Sequence, residues 1–402
     1  MALKYVLISC WEEHGGKPGL ALLSFDDETG ITKLVNKQFE KVSFNNACFN
    51  KDNKVIYLCN EVHNNPDYPK GGGGLIYALK FDEKNQLLTQ ISRAESLCPC
   101  PSYVCLDKNK KYLVNANHSS FNAVTLAVKK DDGYWGLKVL YDDAIVSLRK
   151  VNDDGSLQEV VDVKKHDKYS VSGRGLHAHP HSCNLTPDGK FFVCCDKGDS
   201  HIYLYSIDYE NEKLLLNSEP YFDNEGAAPR YVVFHPIKKW MFVNHEKDLH
   251  LSSFSYSPNG ELTRLDSCQV LDDFGFKETK AIREALHNEV VDEPKDHIWP
   301  TEQQGLAISS NGKYLYDAIN GPDAISVLEI DQENGHLKLI QVMPINGRWV
   351  RGVNVSSNGK FLFVSCLQSG GVYVYRINDD GTLGAVTSHI DVDGGSTITF
   401  LD

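Results

Sequence analysis

SCNLTPDGKFFVCCD, Ser182–Asp196, holds the pattern that decides the fold: an alternating apolar stretch, a polar turn at Asp188-Gly189, then a second β-rich run. Residues able to take positive φ at such a turn fold the two runs back on each other as a tight hairpin. The same phrase recurs along the chain. It reads ACFNKDNKVIYLCNE from Ala47, YVCLDKNKKYLVNAN from Tyr103, YVVFHPIKKWMFVNHE from Tyr231, GLAISSNGKYLYDAIN from Gly305 and GVNVSSNGKFLFVSCL from Gly352. A second phrase follows each copy, as in IYLYSIDYENEKLLL from Ile202 and VYVYRINDDGTL from Val372, and supplies two more strands around a closing turn. Internal repetition of one antiparallel unit therefore organises the whole chain.

Six hairpins are visible against seven closing turns, at Gly30-Ile31, Asn85-Gln86, Gly155-Ser156, Glu212-Lys213, Gly260-Glu261, Gly335-His336 and Gly381-Thr382. The missing half-unit lies at the termini: Lys4–Cys10 reads as a second strand whose first strand, Ser396–Leu401, comes from the far end. Pairing the two ends closes a ring and removes the exposed sheet edges of an open array. The expectation is an all-β, seven-bladed β-propeller of four-stranded antiparallel blades, forming one domain over residues 1–402. Two stretches exceed the repeat, at about 119–143 and 266–301. The second contains Lys277–Val291, where Ile282, Leu286 and Val290 recur at the spacing of a short amphipathic helix. Excursions of this kind decorate one face and shape pockets.

Composition narrows the functional classes. Against 41 Lys+Arg stand 54 Asp+Glu, a net charge of −13, and no basic block offsets it, so a nucleic-acid partner is not expected. No apolar run approaches the roughly 20 residues that span a bilayer, and MALKYVLISC at the start lacks a basic n-region, so neither a membrane nor secretion is expected. Eleven cysteines, an odd number placed mostly in strand-like runs, exclude a complete disulfide framework and fit reduced thiols in a cytoplasmic protein.

In antiparallel blades, the start of the first strand and the end of the second lie on the same face, next to the axial channel. Collected from every unit, these positions are rich in His, Glu, Arg and Asn, with Trp11, His14, His63, Asn117, Asn244, Glu302 and Gln304 among them. The opposite ends carry the Asp, Asn, Gly and Lys of ordinary turns. The first face is thus the functional one.

HPHSCNLTPDGKFFVCCDKGDSHIYLY from His179, GAAPRYVVFHPIKKWMFVNHE from Gly226 and GRWVRGVNVSSNGKFLFVSCLQSGGVYVYRI from Gly347 resemble the seven-bladed propeller lactonase family. Activities in that family include 6-phosphogluconolactone hydrolysis and carboxy-cis,cis-muconate lactonization. The resemblance implies a catalytic histidine at His181, an anion-binding arginine at Arg230 and a partner carboxylate at Glu246. It implies no obligatory metal. The chain departs from the family at Asn320, where an arginine is usual, and at Gly305, where a carboxylate is usual.

Lactone opening asks for such groups independently: a base for water, donors for the developing oxyanion and an acid for the leaving alkoxide. The expected catalytic set is His181, Glu246 and Arg230, with Arg351, His179, His118, Glu61, Asp196, Asn320 and Gln368 binding substrate. Purely structural roles for His181, Glu246, Arg230 and Arg351 stand beside these. No cofactor is expected, although His177, His179 and His181 alternate and on a straight strand could hold a divalent metal. His245–His250 is one residue too long for the zinc-protease pattern, Gly71–Gly74 lacks a phosphate-loop lysine, and Cys98-x-Cys100 lacks redox spacing. The reading is a lactonase for a sugar-type lactone such as 6-phosphogluconolactone, with a small-molecule lactone or sugar acid as partner and a monomeric or homodimeric state. Its rivals are a lactonizing cyclase or lyase acting on an unsaturated acid, and a non-catalytic binding platform.

Overall fold

The computed structural model describes residues 3–120, 122–167, 177–223, 226–272 and 301–402. Seven antiparallel sheets are arranged as propeller blades, each built on four strands in simple meander order from the axis outward; the fourth adds a short fifth strand, Tyr221–Phe222, beside its third. Numbered along the chain, blade 1 is Gly395–Phe400, Lys4–Cys10, Gly19–Phe25 and Thr32–Gln38, so its innermost strand comes from the C-terminus. Ile8 pairs with Ile398 and Val6 with Phe400, as the orphan strands at the two termini require. Blades 2 to 7 start at Ala47, Pro101, Pro180, Pro229, Glu302 and Arg348.

Second strands such as Val55–Asn60 are buried on both faces, which accounts for their near-continuous apolar composition. Their side chains meet those of neighbouring blades. Ile56 and Leu58 join Leu7 and Leu20 between blades 1 and 2, whereas Val55, Tyr57 and Cys59 turn the other way to Val104 and Leu113 of blade 3. Ile8 and Leu23 complete the circle against Phe361 and Phe363 of blade 7. Closing turns lock this packing. Gly155 has φ +90° and lies where a Cβ would stand 2.6 Å from Val55 of the preceding blade, while Tyr57 donates its hydroxyl to the Gly155 carbonyl at 3.0 Å.

The 119–143 stretch forms a two-stranded hairpin, Ala123–Lys129 with Trp135–Tyr141, between the second and third strands of blade 3. The helix expected at Lys277–Val291 lies outside the described residues. All eleven cysteines are free thiols. Among the described residues no helix is long and apolar enough to cross a membrane. A cavity of about 470 Å³ runs between the innermost strands, from Lys51 and Asp402 on the face opposite the functional one up to Tyr231 and Arg351.

Candidate active site at the channel mouth

One local device recurs at the functional face. In six blades the ladder between the first and second strands breaks near the mouth. Pairing jumps from Pro101 to Tyr103, Pro180 to Ser182, Pro229 to Tyr231, Gln303 to Leu306, Val350 to Gly352, and Gly395 to Thr397. The skipped residues are Ser102, His181, Arg230, Gln304 with Gly305, Arg351 and Ser396. A bulge re-aims the side chain it frees, and proline at three of these starts removes a donor that regular pairing needs.

Around the mouth these side chains and their neighbours form a chain of contacts. Arg351 donates from Nε to Ser396 Oγ at 2.8 Å, from Nη1 to Gln304 Oε1 at 3.1 Å and from Nη2 to Asn45 Oδ1 at 3.3 Å. Its guanidinium lies 4.1 Å over the Trp11 ring, and burial together with the charge on Arg230 pulls its pKa down to about 10. Asn45 donates to Glu61, whose other oxygen accepts from His118 Nε2 at 2.9 Å. Burial pushes the Glu61 carboxyl up, but the His118 hydrogen bond and the positive charge of Arg351 and Lys197 outweigh it and hold the pKa below its ordinary value.

His181 stacks on His118 with ring centres 6.0 Å apart and planes 4° from parallel, and meets Tyr231 edge-on at 5.1 Å. Burial, reinforced by Arg230 and Lys197, drives its pKa well below the usual imidazole value, so the ring is neutral. Its Nδ1 is buried and has no hydrogen-bond partner among the described residues.

Glu246 accepts from Arg230 Nε at 2.9 Å and from Lys197 Nζ at 2.9 Å. Burial opposes its ionisation, yet the two cations keep it ionised, far below the ordinary range. This corrects the expected role of Glu246 as the carboxylate orienting His181. The bulge at His181 points the imidazole at His118 and Tyr231, and Glu246 fixes the arginine instead. With Nε so engaged, Arg230 keeps a buried Nη1 without a partner among the described residues. Its guanidinium lies 4.8 Å over the Tyr231 ring.

Three other expectations change. His177, His179 and His181 do not share a face, because the strand begins only at Pro180 and His181 is bulged out of it. His177 Nε2 lies 2.6 Å from Ser119 Oγ, and His179 Nδ1 donates to the His118 carbonyl. No group of three His, Cys, Asp or Glu side chains among the described residues has a metal-holding arrangement. Asp196 accepts the backbone N–H groups of His179, Gly198 and Asp199 and bonds His166 at 2.7 Å, so it closes the blade-4 turn rather than lining the mouth. His179 likewise packs behind His118. Asn320 accepts the Glu302 N–H at 2.8 Å and leaves a buried amide nitrogen unpartnered among the described residues; Gln368 donates to the His14 carbonyl at 3.1 Å.

Lys197, Asn45, Ser396 and Tyr231 also take part in this chain of contacts, and reading strand ends alone does not collect them. Lys197 and Asn45 lie one or two residues beyond strand ends, so a slightly wider window at each end finds them. Ser396 follows from applying the same rule to the C-terminal strand.

Residues 5–400 match the family described as lactonase, 7-bladed beta-propeller. The chain belongs to the seven-bladed β-propeller lactonase family. Within it, a curated relative named 6-phosphogluconolactonase from Bacillus subtilis (strain 168) is 22% identical over 392 residues, covering 96% of this chain and 95% of that protein. Another of that name, from Formosa agariphila, is 23% identical over 402 residues, covering 95% and 96%. Among solved structures, the periplasmic gluconolactonase PpgL of Pseudomonas aeruginosa superposes with a TM-score of 0.79 at 21% identity, covering 100% of this chain and 99% of that one. A putative 6-phosphogluconolactonase from Bacteroides fragilis NCTC 9343 gives 0.77 at 20% identity, with 100% and 98% covered. At these identities the structures establish the lactonase propeller fold alone.

Proposed function

We propose that the protein hydrolyses an anionic, sugar-type lactone, with 6-phosphogluconolactone as the type substrate. The observation that carries this reading is Arg230, a buried guanidinium whose Nη1 has no partner among the described residues, next to Lys197 and Arg351 and on the same mouth as the His118–Glu61 pair. In a chain of net charge −13, a group of three cations, buried Arg230 and Arg351 with partly buried Lys197, offset by Glu61 and Glu246, attracts an anionic substrate locally.

The chemistry follows from the contacts. Water adds to the lactone carbonyl while His118, held in one tautomer by Glu61, takes its proton. The free edge of Arg230 faces the oxyanion or a substrate anion, and the neutral His181 offers a hydrogen bond beside it. The ring C–O bond then breaks, the leaving alkoxide recovers a proton, and the product is a hydroxy acid that adds one proton to the medium at neutral pH.

Proton release from a panel of lactones, read with a pH indicator against the spontaneous rate, tests the reading. The expected result is faster opening of phosphorylated or carboxylated sugar lactones than of neutral ones. Equal rates with and without protein across the panel would sink it.

A further inference from the structure

The hairpin inserted in blade 3 is unlike every other described sheet. Among the described residues its strands, Ala123–Lys129 and Trp135–Tyr141, pair only with each other. Their side chains are apolar on both faces and uncovered on both. Val124, Leu126 and Leu140 are 60%, 39% and 40% exposed on one face, while Trp135, Leu137 and Val139 are 72%, 69% and 38% exposed on the other, with Tyr134 at 76% in the turn. An isolated two-stranded hairpin is marginal in water, and an uncovered one with two apolar faces calls for a partner.

The edges indicate which partner. Natural sheets guard free edges with bulges, proline or charge. In the blades, the ladder between the two outermost strands carries register shifts, as at Leu22/Leu23, Ala78/Leu79 and Ser253/Phe254. The hairpin's own ladder runs through seven pairs without one. Trp135–Tyr141 carries Lys138 at its centre, so two copies of that edge repel. Ala123–Val128 carries no charge and no proline. Antiparallel pairing of this edge with itself about Leu126 is two-fold symmetric and closed. It sets Lys129 of each copy opposite Ala123 of the other, towards the end of the hairpin that holds Asp142 and Asp143. In this register Leu126 lies beside Leu126 of the other copy, and Val124 of each copy lies beside Val128 of the other, so apolar side chains meet along the whole new ladder.

We propose that the hairpin is a homodimerisation element, in which the Ala123–Lys129 edges of two copies of this chain pair into one four-stranded sheet. It is rooted at the site: Ser119 and Ser120 directly follow His118, and Tyr141 stacks on His177 at 4.4 Å. The partner copy therefore meets the face that carries the mouth.

Sedimentation velocity of the full chain at micromolar concentration tests this without reference to any activity. The wild type is expected to sediment as a dimer. Leu126→Lys is expected to sediment as a monomer with an unchanged circular dichroism spectrum, since the residue is 39% exposed and lies on the inserted hairpin rather than in a blade. A second variant, with residues 123–141 replaced by a short Gly-Ser linker, is expected to be monomeric too. A monomeric wild type, or a dimer that persists in both variants, overturns the proposal. A monomer that instead co-sediments with anionic vesicles through the hairpin overturns it in favour of a membrane surface.

Discussion

At the scale of single residues, the question the site poses is which imidazole moves the proton. A histidine hydrogen-bonded to an ionised carboxylate has a fixed tautomer and ring orientation, and His118 is held in this way by Glu61 at 2.9 Å. His181 is held neutral by burial and by neighbouring cations. His118→Asn and Glu61→Gln are therefore expected to lower kcat on the best lactone by roughly 10²–10⁴-fold, with KM little changed and the circular dichroism intact. Folded variants with near wild-type kcat/KM, beside an inactive His181→Ala, would move the proton transfer to His181. Arg230→Lys keeps the charge but loses the fork. Its KM for an anionic lactone is expected to rise by about 10–100-fold while a neutral lactone is little affected, as steady-state kinetics on both would show. Asp317, fully buried, accepts hydrogen bonds from Asn244 and Gln303, yet burial raises its pKa from 3.8 to about 7. Between those values the folded protein holds a proton that the unfolded chain has lost. The stability this confers is complete below about pH 4 and is lost as pH rises to about 7. Asp317→Asn does not titrate, so its melting temperature is expected to improve relative to wild type between about pH 5 and about pH 8. A difference between the two proteins that stays constant with pH contradicts this assignment.

At the scale of the element, the mouth is built by bulges at the starts of inner strands. Each frees one side chain from the alternation that would otherwise aim it at a neighbouring blade. Space for this is tight. Gly352, directly after Arg351, lies where a Cβ would come 2.2 Å from the Ser396 carbonyl and 2.4 Å from Ser365 Oγ. Ser396 also accepts from Arg351. Gly352→Ala must therefore part blades 7 and 1 at the point that positions the arginine. A loss of about 1–3 kcal/mol in urea unfolding is expected, together with weaker binding of anionic substrate. Unchanged stability would show that the two strands separate freely there.

For the whole molecule, closure is the main determinant of stability. The C-terminal strand supplies Ile398 to the core between blades 1 and 7 and Leu401 to the core between blades 1 and 2. Removing Gly395–Asp402 deletes these contacts and exposes the inner edge of Lys4–Cys10. Buried large side chains cost about 2–5 kcal/mol each when lost, a sum comparable with the whole stability of a folded domain. The truncated chain is expected not to fold cooperatively at room temperature. Melting within about a degree or two of the full-length protein would refute closure by the termini.

The blades, their number and their closure were legible in the sequence because each depends on local alternation and turn chemistry, which SCNLTPDGKFFVCCD and its repeats state six times over. Which strand ends gather at the mouth was legible for the same reason: strand ends are set by hairpin direction. The partnerships within it were not. Glu246 with Arg230 and Lys197, and Glu61 with His118, join residues of the same or neighbouring blades whose meeting depends on where a ladder skips a residue. Pro180 and Pro229 announced irregular pairing but not where the freed side chain would point. A skipped residue reverses the face of every position beyond it, so His181 turns away from His177 and His179, whose rings stay 4.5 Å apart. Local periodicity determined the ring; the geometry of its inner bulges, set by packing between strands far apart in sequence, decided the chemistry at its mouth.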